Sequence, residues 1–166
     1  MTTRFEVAQK NETIAFTKCI EELHSWVTEG EVNVGLLICR KTAGGEPVQM
    51  RQGGYPIAGK VHITNAWQRA QGLPDLLLIV DGDYWDDSEL EERVALLDHL
   101  LSQVTHVDVE NRDEQGRPKL KKRKFDFRCM GFKHVAKRHG HASVEMQQLT
   151  RVVKSPQLEL PLSEAA

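Results

Sequence analysis

The sequence predicts an α/β (α+β) domain, a small mixed sheet packed by helices, followed by a short C-terminal tail. Three observations predict it. Two apolar runs, 35–39 and 76–80, are five residues each. That is the length of buried strands and far short of the roughly 20 residues a membrane helix needs. Apolar residues recur at helical spacing in Phe16, Ile20, Leu23 and Val27, and again in Leu90, Val94, Leu97, Leu101 and Val104. A length of 166 residues with 40% hydrophobic content suits one globular domain with an appendage. The domain is expected over 1–153 and the tail over 154–166.

Each element follows from local chemistry. The first helix is expected over 11–29, closed by Gly30, where a helix C-terminal glycine belongs. Residues 32–39 read as a buried strand, too short and too β-branched for a second helix. The Gly44-Gly45 and Gly53-Gly54 pairs, each followed by a proline, are turn chemistry. Alternation over 59–64 suits a half-buried strand, and 76–80 a second buried one closed by the acidic turn Asp81-Gly82-Asp83. Ser88, with Glu91 three residues on, predicts a capping box at the head of a helix over 88–104. A polar loop over 111–118, a basic run over 119–124 and helices over 126–138 and 143–153 complete the domain.

Charge divides the chain. Residues 1–110 hold 9 Lys/Arg against 18 Asp/Glu, and residues 111–166 hold 13 against 6. The basic run Lys119, Lys121, Lys122, Arg123 and Lys124 could meet nucleic-acid phosphates. No aromatic stacking set accompanies it, so two mutually attracting faces of one domain are the plainer reading. Asp81, Asp83, Asp86, Asp87, Glu89, Glu91 and Glu92 do not match a calcium loop; they read as a solvated turn and a negatively charged helix head. Cys19, Cys39 and Cys129 are widely spaced and form no CxxC pair, as in reduced thiols of a cytoplasmic protein. No signal peptide or membrane segment is expected. The histidines sit in separate elements and read as surface or supporting groups.

The words GKVHIT, LPDLLLIVDGDYW, ERVALLDH, RPKLKKRKFDF and FKHVAKRHG resemble, in order and spacing, the phage metallopeptidase family. The likeness runs over about 10–150. It implies a zincin-like fold of SprT-like architecture, a phage or prophage origin and a bacterial host cytoplasm. In such proteins ALLDH opens a His-Glu-x-x-His helix whose two imidazoles reach one zinc ion, while the Glu activates water. A later His-Asp supplies the third ligand. Here His99 remains as the residual family ligand. The general base becomes Leu100, the second ligand Gln103, and the third Phe125, with Asp126 kept beside it. Zinc takes three or four His, Cys or carboxylate donors, so no zinc and no catalytic residue are expected. Leu100 and Phe125 read instead as packing residues.

The tail carries its own signal. Gln157, Leu158, Glu159, Leu160, Pro161 and Leu162 resemble the bacterial sliding-clamp-binding motif of Gln-Leu-x-Leu-Pro-Leu type. The resemblance implies the clamp as partner, with Gln157 at a pocket rim, three leucines as anchors and Pro161 stiffening the turn. The sequence thus points to a catalytically degenerate protein that acts by binding. Two alternatives are a zinc-dependent peptidase with ligands from other positions and a nucleic-acid-associated accessory protein.

Overall fold

The structure, a computed structural model, describes residues 2–8, 13–106, 112–113, 116–123, 133–142, 146–147, 149–150 and 153. The chain divides into two compact units, Met1–Lys124 and Phe125–Ala166. The first has the mixed α+β fold that the sequence predicts. No helix among the described residues is long and apolar enough to cross a membrane.

Strand β1 (Thr2–Val7) is followed by helices α1 (Thr13–Leu23) and α2 (Ser25–Glu29), then by the long strand β2 (Val34–Ala43). Short pieces β3 (Glu46–Pro47), β4 (Arg51–Gln52) and β5 (Tyr55–Pro56) lead to β6 (Gly59–Ile63) and α3 (Ala66–Ala70). Then come β7 (Leu76–Asp81), α4 (Gly82–Asp87), α5 (Leu90–Leu101) and the hairpin of β8 (Val104–His106) and β9 (Leu120–Lys122). The main sheet has the order β1-β2-β7-β6, with β3 on the end of β2. β7 runs parallel to β2 and antiparallel to β6. The second unit contains α6 (Lys133–His139) and a 3-10 turn, Gly140–Ala142.

Burial explains why the inner strands are apolar. β7 is flanked on both sides and covered on both faces, so all six of its residues are buried. Leu76, Leu78 and Val80 join Leu36 and Ile38 under α1 and α5, along with Cys19, Trp85, Leu97, Leu100 and Leu101. Leu77, Ile79 and Cys39 point to the opposite face, where Met50 covers them and Leu37 and Ile57 pack alongside. Asp81 ties that cover down. It is buried, and its carboxylate accepts from the backbone N–H of Met50 and, at 3.1 Å, from that of Tyr84.

Several expectations need correction. The single helix over 11–29 is two helices, because His24 leaves helical geometry at φ −132° and turns its ring inward. Of the two readings of the histidines, His24 takes the supporting one, buried and bonded to Asp98. Asp81 is no solvated turn residue but the buried N-cap of α4. The capping box lies one residue later than expected, between Glu89 and Glu92. Ser88 instead donates its hydroxyl to the Tyr84 carbonyl at 2.6 Å. Strand β1 was not expected at all. The described helix of the second unit begins at Lys133, within the helix expected over 126–138. The expected tail over 154–166 lies outside the described residues.

Candidate functional site

His99, Leu100 and Gln103, the positions that the sequence resemblance sets against a zinc helix, lie on α5 and just past it. Two turns of leucine, Leu96–Leu97 and Leu100–Leu101, aim this helix at the sheet. Leu100 is wholly buried, and its side chain sits directly on the backbone of β6. A Cβ built on Gly59 would stand 2.9 Å from Leu100 Cδ1 and 3.2 Å from the Ile79 carbonyl oxygen. His99, one residue earlier, is exposed on the flank. The helix then ends at Leu101, with Ser102 as C-cap. The helix expected over 88–104 is thus shorter, and Gln103 lies in a tightened turn. Its N–H donates to the Leu100 carbonyl at 3.2 Å and its own carbonyl accepts from the Arg123 N–H at 2.7 Å. Phe125 lies outside the described residues.

This donor set does not fit a zinc ion. It offers one imidazole and one amide, with a buried leucyl group between them, where zinc takes three or four His, Cys or carboxylate donors. Among the described residues, no group of three His, Cys, Asp or Glu side chains converges as a metal site. A water-activating carboxylate at position 100 would need an open cleft; the side chain there faces the sheet.

Beside α5 lies an arrangement that sequence reasoning missed. His24 Nε2 donates to Asp98 Oδ1 at 2.8 Å, and Trp26 Nε1 donates to His24 Nδ1 at 3.1 Å. An indole N–H can only donate, so Nδ1 is the acceptor and the ring proton sits on Nε2. Ser102 Oγ donates to the same Asp98 oxygen at 3.3 Å. A cavity of about 430 Å³ opens next to this chain, lined by His24, Trp26, Leu101, Ser102, Thr105 and Arg123 among others. The residue types suggest a hydrolase triad, but the connectivity is wrong. Both imidazole nitrogens are engaged, and the serine faces the carboxylate rather than the ring, so no base awaits the hydroxyl. Burial pushes the Cys19 thiol up to about 11, with Asp98 adding to the rise, so it is no thiolate nucleophile at neutral pH. The chain acts as a bolt that fastens the α1–α2 break to α5. Its partners are 74 positions apart, and no local motif announces them.

The described cations of the basic run sit on the β8–β9 hairpin. Lys121 and Lys122 are exposed opposite Thr105 and Val104. Strand alternation splits the run. Lys119, Lys121 and Arg123 fall on one side, and Leu120, which packs against the core, and Lys122 on the other. Lys124 lies outside the described residues. Lys119 and Lys121 border a second cavity, of about 440 Å³, with Arg69 and Asp75. Arg69 is nearly buried there, 3.6 Å from Asp75 and 3.1 Å from Asp113, and so ties the hairpin's loop to the end of the sheet.

Residues 4–154 match the family described as putative phage metallopeptidase. The chain belongs to this family. Comparison with curated proteins and with solved structures gives no match. In this phage metallopeptidase-family chain, the matched region contains the whole sheet apart from the first residues of β1, and all of α5. Leu100, within the matched region, is a core residue.

That packing yields a direct expectation. Gly59→Ala should cost about 1–3 kcal/mol, because a new methyl group meets Leu100 and a carbonyl oxygen in a closed layer. Combining it with Leu100→Ala removes the first clash, so urea denaturation of the double variant should show a loss smaller than the sum of the singles. Strict additivity would mean that the two residues do not touch.

Proposed function

We propose that this phage metallopeptidase-family chain is catalytically degenerate and works by binding, recruited to the bacterial sliding clamp through Gln157, Leu158, Leu160, Pro161 and Leu162. The observation that carries the first half is Leu100, wholly buried against the sheet where the family pattern calls for a water-activating glutamate. Gln103 beyond the helix end and the engaged His24–Asp98–Ser102 chain support it. The second half rests on the tail's wording alone. A short peptide can bind tightly enough because few residues must be ordered and three leucines are spaced as anchors. Held at the clamp, the protein would work beside DNA. Lys119, Lys121, Lys122, Arg123 and Lys124 would then meet phosphates at high effective concentration, so DNA contact is secondary to the clamp.

The test is titration of purified bacterial clamp with full-length protein and with a peptide spanning 154–166. Gln157→Ala and the pair Leu160→Ala/Leu162→Ala should each weaken binding about tenfold or more, equivalent to roughly 1.4 kcal/mol. A clamp that ignores both peptide and protein at high micromolar concentration ends the clamp reading and leaves the Leu100 argument standing.

A further inference from the structure

Strand β1 forms one edge of the main sheet, and among the described residues nothing pairs with its outer side. It is also the least covered of the sheet's four longer strands. Phe5 is 54% exposed and Val7 77%, although both lie on the same face as Cys39 and Leu37 across the ladder. An exposed edge strand with outward backbone groups and two exposed apolar side chains is a template for another strand.

The backbone fixes which groups are on offer. The Ala8 N–H donates to the Leu36 carbonyl, which continues the β1–β2 register as a hydrogen-bonded pair. Such pairs recur at every second residue of an antiparallel ladder. Thr2, Arg4 and Glu6 therefore spend their backbone groups on β2. Thr3, Phe5 and Val7 turn theirs outward.

We propose that β1 pairs antiparallel with β1 of a second copy, about a two-fold axis through Phe5, joining two sheets into one. Outward residues must meet outward residues, so the axis can pass only through a residue between Thr3 and Val7. An axis through Arg4 opposes Arg4 to Arg4, and one through Glu6 opposes Glu6 to Glu6. An axis at Thr3 or Val7 overlaps too little of the strand. With the axis at Phe5, Arg4 faces Glu6 of the second copy twice over, Thr3 faces Val7, and Phe5 meets Phe5. Charge, parity and apolar placement agree on that one register. The Arg4 and Glu6 side chains already lie together on one face, 3.2 Å apart within the strand. A second copy therefore meets a paired array rather than a lone charge. The contact is small, so a dissociation constant on the order of 10 μM is expected.

The experiment is sedimentation of the full-length, untagged protein up to on the order of 100 μM, together with disulfide mapping. Arg4→Glu opposes like charges and should weaken the dimer at least about tenfold, with the circular dichroism spectrum unchanged. In a Cys129→Ser background, Thr3→Cys mixed with Val7→Cys should cross-link on mild oxidation, because these positions face each other. Each variant alone should not, because like positions stand about 13 Å apart along the strands, beyond disulfide reach. A protein that stays monomeric throughout the range overturns the proposal. So does a dimer that ignores Arg4→Glu, or one in which the mixed cysteines fail to join.

Discussion

Leu100→Glu should unfold this domain or leave it barely folded. The side chain is wholly buried between α5 and the sheet, with Gly59 beneath it. A carboxylate there loses its hydration inside the apolar core, a loss of about 5 kcal/mol. Domains of this size are stable by roughly 5–15 kcal/mol, so little would remain. Leu100→Ala should lose about 3 kcal/mol through the cavity it leaves, whereas Leu100→Met, nearly equal in volume, should stay within about 1.5 kcal/mol. Urea denaturation followed by circular dichroism ranks the three. If the Glu variant matched the parent, position 100 would face an open cleft and the degenerate reading would lose its main support. The series also shows what rebuilding a peptidase would entail. Placing a general base at position 100 removes a keystone of the core.

The second large effect is expected at Asp81. This buried carboxylate accepts from the Met50 and Tyr84 N–H groups, capping α4 and holding the cover of the second apolar face. Asp81→Ala leaves the Met50 N–H buried without an acceptor and removes a helix cap, for a combined loss of about 3 kcal/mol. Asp81→Asn separates the two roles. Its amide oxygen can still cap Tyr84, but its NH2 group meets the Met50 N–H donor to donor, so stability should recover only in part. A fully stable Asn variant would show that the Met50 contact contributes nothing. The readout is the denaturation midpoint at constant slope.

The inner sheet was legible because its cause is compositional. A strand covered on both faces must be apolar throughout, and 76–80 announces itself as such; β2 does the same over its buried half. β1 was not legible because it is an edge strand, four of whose first five residues are polar or charged; its Phe5–Val7 alternation is too short to stand out. The first helix was read through His24 because Phe16, Ile20, Leu23 and Val27 keep helical spacing across the break. What stops the helix is a ring drawn to Asp98, a partner far along the chain. The capping box slipped by one residue because acidic residues crowd the head of α5 and several pairs fit the pattern. At the site, Leu100 was legible as a packing residue, but its seat on the sheet and the helix end before Gln103 were not. Only the packing shows that Leu100 lies on the sheet and that the helix stops before Gln103. The Trp26–His24–Asp98–Ser102 chain was invisible, since its two halves, one at α2 and one at the end of α5, are joined only by a contact across 74 positions.

The proposed function requires that this member of a metallopeptidase family does without a catalytic zinc ion. Elemental analysis of full-length protein, purified without a histidine tag and dialysed against metal-free buffer, tests it most directly. The expected result is zinc well below one atom per chain, lost on brief exposure to a chelator, with the fold unchanged by its removal. One zinc ion per chain, held through dialysis and needed for the native circular dichroism spectrum, would contradict it.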